Sequence, residues 1–212
     1  MKTCSGYTGK ILDVDLTSAI LSKAELDPCL ANDYMGGKGF GAKILYDQLP
    51  PRCEPLSSDN ILVFATGPLT GTLAPSSGRF EVCTKSPATG LWLDSNCGGY
   101  FGPELKFAGY DMLIIRGKAA KPTLLVIEDN QYELKPAGEL WGLDTISTHR
   151  QIKDALGKDC KVACIGCGIC VKKCPSKAIE LKYNLATIDQ TKCIKSQECF
   201  KACPTKCIIT LS

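Results

Sequence analysis

Short runs of alternating or continuous apolar residues occupy most of the first 160 positions and predict a β-rich structure with a few helices. Residues 10–23 predict a hairpin, followed by helical residues at 28–35 and a glycine-punctuated helix that ends before Pro50. A strand, a turn, a strand and a helix recur over 123–157, with Asp144 as the helix cap. The recurrence indicates an internal duplication.

Between the two copies, the sequence predicts the elements that carry most of the candidate chemistry. One apolar run predicts a buried strand, and two later runs around a turn predict a hairpin. A Gly-rich turn then leads into a short helix with Pro at its first position and Gly just past its end. In chain order these elements are predicted at 61–65, 79–85, 86–89, 90–96, 97–102 and 103–109.

The turn at 86–89 sets the register of the predicted hairpin. It places Arg79 directly opposite Asn96, on the face away from the apolar side chains, and it places Glu81 opposite Asp94. A cation and an amide would therefore lie side by side at the open end of the hairpin. The pairing of two acids is unfavourable unless a cation or a partner lies nearby.

Gly98 and Gly99 follow the hairpin and precede the short helix. Glycines let a backbone approach a ligand closely, and the N–H groups at a helix start suit a phosphate or another anion. A tight turn with a purely structural purpose is the alternative, because the glycine spacing matches no dinucleotide or P-loop motif.

Cysteines and charges divide the chain into two dissimilar parts. Residues 161–212 hold eight of the fourteen cysteines and nine lysines against three acidic residues, a formal charge of +6, so that the rest of the chain carries −3. Such a cysteine density in a cytosolic protein indicates a metal site rather than disulfides. The charge does not predict nucleic-acid binding, because no aromatic stacking platform accompanies it and cluster thiolates would cancel much of it.

The overall composition is that of a soluble globular protein, with 44% hydrophobic and 22% charged residues. No apolar run approaches the ~18 residues that a membrane span needs. The first residues lack the apolar stretch of a signal peptide. We therefore expect a cytoplasmic protein with no direct membrane span.

The cysteines from Cys164 to Cys174 follow the C-x2-C-x2-C-x3-C-P spacing of bacterial ferredoxins. Three thiolates two residues apart on a Gly-containing loop can converge on one iron–sulfur cubane, whereas zinc sites use separated pairs of cysteines. The spacing recurs from Cys193 to Cys203, but Ser196 stands where the second cysteine belongs. The tail therefore predicts a pseudo-twofold dicluster domain whose main folding force is cluster binding.

Crossed ligation, in which the last cysteine of each run binds the other cluster, divides the ligands between two clusters. Cluster I takes Cys164, Cys167, Cys170 and Cys203, and cluster II takes Cys174, Cys193 and Cys199. Ser196 leaves three outcomes for cluster II: a three-iron cluster, a four-iron cluster with serine or water on the odd iron, or recruitment of Cys207. A three-iron or labile cluster is favoured, because a serine hydroxyl loses its proton with difficulty.

Two parts of the sequence resemble known families. The tail is similar to the ferredoxin region of the B subunit of the membrane Rnf complex, which implies an electron-transfer role. The chain from Gly6 to Gly166 closely resembles the N-terminal domain of tungsten-containing aldehyde ferredoxin oxidoreductases. The second resemblance lies in Asn96 and in the segments 67–72, 74–75, 78–79, 84–87, 89–90 and 98–111.

These resemblances imply an α+β protein of two domains. A β-rich domain of the aldehyde ferredoxin oxidoreductase N-terminal type, with an internal duplication, is expected at 1–163. A small ferredoxin-like 2[4Fe-4S] domain is expected at 164–212. The second domain begins within the last residues of the first resemblance.

The resemblance to the oxidoreductases also implies a cofactor site. In that family the N-terminal domain forms the floor under a tungsten bis-pterin cofactor. Arg79 matches the family's hairpin arginine, Asn96 matches the asparagine that helps hold the magnesium between the two pterin phosphates, and Gly98 matches a backbone position beside the pterin. With the adjacent Gly99, these residues form the candidate cofactor site, and the tungsten bis-pterin with its magnesium is the implied ligand.

The implied function is an iron–sulfur electron-transfer component that oxidises an aldehyde to a carboxylate and reduces ferredoxin. The family's later domains carry its catalytic acid and histidine, so no catalytic residue is assigned here. We expect a redox partner or a catalytic subunit, with a small aldehyde as substrate of the completed enzyme. The alternatives are a non-enzymatic ferredoxin-type carrier, or a truncated or recombined reading frame, with an N-terminal domain used for docking. Cys97, where the family has a small hydroxyl residue, is expected to be a buried thiol.

Overall fold

The computed structural model describes residues 5–128, 131–156, 168–182, 185–203 and 208. The chain divides into two compact units, Met1–Trp141 and Gly142–Ser212. Three of the cysteines considered as cluster ligands, Cys164, Cys167 and Cys207, lie outside the described residues. Within the described ranges, no helix has the length and apolar character needed to cross a membrane.

The larger unit is built on a six-stranded sheet. Its strands are β1 (Lys10–Asp15), β2 (Ile20–Glu25), β3 (Ile61–Thr66), β4 (Phe80–Lys85), β5 (Trp92–Cys97) and β6 (Met112–Arg116). They lie side by side in the order β2-β1-β6-β3-β4-β5. Strands β1 and β6 run parallel, and the other neighbours are antiparallel.

Two helices, α1 (Pro28–Tyr34) and α2 (Lys38–Gln48), lie close together in the chain, and their apolar side chains pack on one face of this sheet. The Asp27 carboxylate accepts a hydrogen bond from the Cys29 N–H and caps α1, and Pro28 opens the helix. The core on this face joins helix and strand residues, among them Phe40, Ile44, Val63, Cys83 and Ile114. Both helices fall where the sequence predicts them.

The opposite face of the sheet is covered by α3 (Phe101–Phe107) and by a second hairpin, β7 (Thr123–Glu128) and β8 (Gln131–Pro136). This hairpin forms a separate two-stranded sheet. Leu125 and Leu134 pack against a core that includes Leu12 and Leu113, because side chains of alternate parity point to this face. The sheet is therefore buried on both sides, and β3 reads as a nearly continuous apolar run for that reason.

Helix α3 begins two residues earlier than predicted. The prediction placed Pro103 at the first helical position, but Pro103 is the third residue of the helix. The N–H groups of a first turn have no intrahelical acceptor, so the proline removes no hydrogen bond there. Gly109 follows the helix end with φ +93, a conformation that favours glycine.

Over its described residues, the smaller unit contains three short helices and one hairpin. These are α4 (Thr145–Leu156), α5 (Ile169–Lys173), β9 (Ile179–Lys182), β10 (Leu185–Ile188) and α6 (Glu198–Ala202). The Asp144 carboxylate accepts hydrogen bonds from the N–H groups of Ile146 and Ser147 at 2.9 Å, as the predicted cap of α4. The strand, strand, helix order therefore recurs, although β1–β2 and β7–β8 belong to different sheets. The predicted α+β class is confirmed.

Candidate functional site

The first candidate site lies where β4 and β5 meet the glycine turn. The structure brings Arg79 and Asn96 together, since an Arg79 guanidinium N–H donates to the Asn96 side-chain oxygen. The Asn96 amide Nδ2 in turn donates to Glu81 Oε1 at 2.6 Å. Asn96 and Arg79 are exposed, and Glu81 beneath them is only 7% exposed.

The predicted register of this hairpin is wrong by two residues. Glu81, rather than Arg79, lies directly opposite Asn96, and Asp94 lies opposite Cys83. The turn closes one residue later than predicted, because the N–H of Ser86 donates to the Leu91 carbonyl. A shift of two residues keeps every side chain on its predicted face, so Arg79 still reaches Asn96 along a diagonal.

The predicted contact between Glu81 and Asp94 does not form. Asp94 instead pairs with Lys38 at the start of α2, with 2.6 Å between Nζ and the carboxylate. Their hydrogen bond lowers the pKa of Asp94 and raises the pKa of Lys38. Burial raises the pKa of the neighbouring Cys83 thiol to about 12, and the negative charges of Glu81 and Asp94 add to that shift. This thiol is therefore un-ionised at neutral pH.

Gly98 and Gly99 form the exposed turn beyond Asn96. Gly99 has φ +100, and a Cβ placed on Gly78 would lie 2.8 Å from the Gly99 carbonyl oxygen, so the two backbones touch. A Cβ placed on Gly98 would meet nothing within 4 Å. Packing within the described chain therefore gives no reason for glycine at 98, whereas a ligand lying against the backbone would give one. Cys97 is exposed, so the expectation of a buried thiol is wrong: it ends β5, an edge strand whose last three residues are all exposed.

The residues at this end of the hairpin fit an anionic ligand. A guanidinium, an exposed amide and an open glycine turn supply N–H donors and close access, which are the features that phosphate groups require. Sequence reasoning missed Glu81 as part of this group. The sequence did indicate this residue, because Glu81 is an acidic residue in a strand whose other core-facing residues are apolar.

The second candidate site consists of the two cysteine loops of the smaller unit. Gly168 and Gln197 have nearly identical left-handed angles, φ 69 and ψ 4 against φ 60 and ψ 6, and each precedes a five-residue helix. Cys174 and Cys203 end these helices with similar extended angles. The helices α5 and α6 contact each other. The predicted pseudo-twofold repeat is therefore present in the backbone.

The cysteines that the structure describes in this unit differ in burial. Cys170 is buried, and Cys174, Cys193, Cys199 and Cys203 are half-buried. No three His, Cys, Asp or Glu side chains converge as ligands of a single ion among the described residues. Ligands of a cubane bind separate iron corners and need not converge in that way.

The Cys174 sulfur lies in a hydrogen-bonding environment that favours a thiolate. Its distance to the Ser176 hydroxyl is 3.5 Å, and this contact lowers the pKa of the thiol. Backbone N–H groups of Ala178 and Ile179 lower it further. Because thiolates are the ligands of iron–sulfur clusters, the donor chemistry of this loop fits a cluster.

Comparison with known proteins agrees with both parts of the sequence prediction. The family described as "Aldehyde ferredoxin oxidoreductase, N-terminal domain" matches residues 11–168, and "4Fe-4S dicluster domain" matches residues 163–207. The tungsten-containing aldehyde ferredoxin oxidoreductase of Pyrococcus abyssi is 45% identical over 162 residues, which cover 76% of this chain and 27% of the relative. The B subunit of the ion-translocating oxidoreductase complex of Methanosarcina acetivorans is 54% identical over 41 residues, 18% of this chain and 16% of the relative.

A solved structure shares the fold of the larger part of the chain. The active-site complex BamBC of benzoyl coenzyme A reductase, solved with 1,5-dienoyl-CoA, matches with a TM-score of 0.71 and 42% identity over 72% of this chain and 23% of that one. The chain thus spans about a quarter of the length of the oxidoreductases that it matches. By its N-terminal domain, followed by a 4Fe-4S dicluster domain, this chain belongs to the aldehyde ferredoxin oxidoreductase family.

Proposed function

We propose that this chain is the electron-transfer component of an oxidoreductase of the aldehyde ferredoxin oxidoreductase type. Its larger unit would hold the phosphate end of a tungsten bis-pterin cofactor, and its smaller unit would hold two iron–sulfur clusters. The observation that carries the proposal is the coexistence, in one chain, of the Arg79–Asn96 pair beside an open glycine turn and of two equivalent cysteine loops.

In this proposal, residues of the larger unit bind and orient the cofactor. The Arg79 guanidinium and the backbone at Gly98 and Gly99 would donate to phosphate oxygens, and the Asn96 amide oxygen would face the accompanying magnesium. When bound, the tungstopterin supplies the two-electron oxidation of an aldehyde, and the clusters supply one-electron transfer. A catalytic subunit would be one partner, and the electron acceptor would be a ferredoxin-type protein.

The proposed cluster ligands follow the crossed pattern of the repeat. Cluster I would be bound by Cys164, Cys167, Cys170 and Cys203, and cluster II by Cys174, Cys193 and Cys199. Ser196 lies next to Gln197, whose backbone matches that of Gly168, so the serine takes the place of a cysteine without a change in the adjoining backbone. We propose a three-iron or labile cluster II on that basis.

A Ser196→Cys substitution tests this assignment. We expect the oxidised wild-type chain to show a three-iron electron paramagnetic resonance signal, and the variant to lose it while its iron content rises from about seven to about eight per chain. Ser176→Cys, at a serine that contacts Cys174 but lies outside the spacing motif, is the matched control and should keep the signal. A three-iron signal that persists in the Ser196→Cys protein would show that this position does not face cluster II.

A non-enzymatic electron carrier is the second candidate function. It is favoured by the two equivalent cysteine loops, which would transfer electrons without a pterin. In this case the larger unit would dock a redox partner and bind no pterin. Because both candidates use reduced cysteines as cluster ligands, both suit a reducing compartment, and we propose the cytoplasm for either.

Metal analysis separates the two functions. The chain would be produced anaerobically in a tungsten-supplied host, and iron, acid-labile sulfide and tungsten would be measured per chain. Iron with tungsten supports the oxidoreductase component, and iron without tungsten supports the carrier. A variant with Arg79→Ala and Asn96→Ala should contain no tungsten and keep its iron. A Cys170→Ala variant should instead contain less iron per chain. A colourless chain without sulfide would contradict both functions.

A further inference from the structure

Glu81 is a buried carboxylate that local packing does not explain. It lies on β4 beside Val63, Ala65 and Cys83, which belong to the apolar core. Its Oε1 accepts from Asn96, but Oε2 is buried and has no hydrogen-bond partner among the residues that the structure describes. Burying a carboxylate oxygen without a hydrogen bond costs free energy, and an apolar residue at this position would avoid that cost. Fold stability alone therefore does not account for a glutamate.

The fold makes specific room for this side chain. Gly37, at the start of α2, has φ 51 and ψ −126, and a Cβ on it would lie 3.3 Å from Glu81 Cγ. The Gly37 N–H donates to the Thr66 carbonyl at 3.0 Å, so the turn is pinned to the end of β3. Lys38, the next residue, is engaged with Asp94. Glu81 is thus enclosed by backbone and directed at Asn96.

An ionised carboxylate accepts hydrogen bonds and cannot donate them, so it fixes the orientation of the amide it meets. The Asn96 NH2 group must face Glu81, and the Asn96 carbonyl oxygen must face outward. In that orientation the oxygen accepts from the Arg79 guanidinium. One bond holds one guanidinium N–H, and a guanidinium carries five, so donors remain for a ligand at the glycine turn.

We propose that Glu81 is a positioning residue for phosphate binding. Through Asn96 it holds the Arg79 guanidinium beside the Gly98–Gly99 turn, where the guanidinium binds a phosphate group of the ligand. The inference rests on the proposed cofactor site and adds to it a residue that would not touch the ligand.

The direction in which one substitution changes the affinity for an anion distinguishes a positioning role of Glu81 from a purely electrostatic one. Removing the negative charge of Glu81 should strengthen binding of an anion if charge alone acts, since like charges repel. If Glu81 positions Arg79, its removal should weaken binding instead. Glu81→Met keeps the size of the side chain and removes both carboxylate oxygens.

The experiment measures the affinity of the full chain, with its clusters in place, for inorganic pyrophosphate by titration calorimetry at fixed ionic strength. We expect Glu81→Met to bind about fivefold to tenfold more weakly, the factor expected for one lost hydrogen bond. Asp94→Asn removes a negative charge from the same hairpin without touching Asn96, so it should bind equally well or more tightly. Arg79→Ala should abolish binding, which identifies the site that the probe reports.

Rescue by a conservative variant provides the second measurement. Glu81→Gln removes the negative charge but keeps a side-chain oxygen that can accept from the Asn96 amide. If Glu81 positions Arg79 through Asn96, Glu81→Gln should recover most of the pyrophosphate affinity that Glu81→Met loses.

Three outcomes would overturn the inference: a Glu81→Met chain that binds pyrophosphate as tightly as the wild type or more tightly, a Glu81→Gln chain as weak as Glu81→Met, or a wild-type chain without saturable binding. The proposed function fails separately. A chain that binds pyrophosphate in a Glu81-dependent way but acquires no tungsten keeps the inference and loses the tungstopterin. A chain that acquires tungsten without dependence on Glu81 does the reverse.

Discussion

At the scale of the residue, two buried carboxylates of the larger unit differ in how fully they are hydrogen-bonded. Asp111 is fully buried and accepts hydrogen bonds from Thr8, from the Gly9 N–H and from Lys106 Nζ at 2.7 Å. Glu81 accepts from Asn96 through one oxygen, and its other oxygen has no partner within the described ranges. Asp111 therefore serves to hold the first described residues against α3 and β6, whereas our proposal assigns Glu81 to the site above it.

Removing one partner of the buried pair of Asp111 and Lys106 should strongly destabilise this unit. We expect Asp111→Asn to lower the free energy of unfolding by about 3–5 kcal/mol, because the Lys106 charge would stay buried without its counterion. The midpoint of urea denaturation, followed by circular dichroism, measures the effect.

The exposed pair of Lys43 and Asp47 offers the matched control. Lys43→Ala removes an ion pair of the same length from the surface of α2 and should leave the midpoint unchanged. Equal effects of the two substitutions would contradict the role assigned to Asp111.

Thiol reactivity should follow burial in the larger unit. Cys83 is completely buried with a pKa raised to about 12, so it lacks thiolate at pH 8 and cannot be reached by a reagent. Cys29 and Cys97 are exposed. We expect iodoacetamide to modify Cys29 and Cys97 in the native chain, and Cys83 only after unfolding, as read by peptide mass spectrometry. Labelling of native Cys83 at the rate of Cys97 would refute the buried placement.

At the scale of the element, the two cysteine loops share a backbone conformation but have different residues at its left-handed position, where a side chain is unfavourable. Gln197 adopts the left-handed conformation that Gly168 adopts in the first loop. A side chain in this region costs about 1 kcal/mol relative to glycine. The second loop therefore carries strain that the first avoids.

Replacing Gln197 with Gly should relieve this strain. We expect Gln197→Gly to stabilise the smaller unit by about 0.5–1 kcal/mol, measured as a rise in the thermal midpoint of the cluster-loaded chain. Gln190→Gly is the control, because Gln190 lies in a turn without positive φ and gains nothing from glycine. A Gln197→Gly chain that melts at or below the control would contradict the conformation described.

The same scale shows what the sequence could predict and what it could not. Alternation and capping residues predicted β3, α1, α2 and α4 closely, because period and caps are local properties. The register of β4 and β5 was wrong by two because the closing hydrogen bond of the turn, from Ser86 to Leu91, is not determined by turn composition. The pairing of Asp111 with residues about 100 positions away leaves no local signal at all.

The site residues also divide into those that local patterns predicted and those that depended on the register of the strands. The contact of Arg79 with Asn96 followed from the faces of the strands, which survive a shift of two. Glu81 could be noticed as an acid in an apolar strand, but its partner depended on the true register. The spacing of the cysteines predicted the repeat, because the spacing of ligands in the sequence follows from the geometry of the cluster that they bind.

At the scale of the whole molecule, the two units should differ in what holds them together. The larger has apolar cores on both faces of a six-stranded sheet. In the smaller, only Cys170, Ala178 and Ile179 are buried apolar residues among those that the structure describes. So small a core does not stabilise a unit by itself, and metal binding must contribute.

Removal of the clusters should therefore unfold one unit and spare the other. We expect anaerobic treatment with a chelator and an oxidant to abolish hydrogen-exchange protection over 168–203, while amides of β1, β3 and β6 stay protected. Mass spectrometry of peptides from both units reads the two responses in one sample. Retained protection over 168–203 after complete loss of iron would show that the smaller unit does not need its clusters.

The position of β6 between β1 and β3 bears on how the chain matures as it leaves the ribosome. The centre of the sheet lacks a strand until residue 116 has emerged, so the earlier strands wait with their edges unsatisfied. The cysteine loops emerge afterwards, when the sheet can already close. The larger half can thus close its sheet before the cysteine loops are available to bind iron and sulfide.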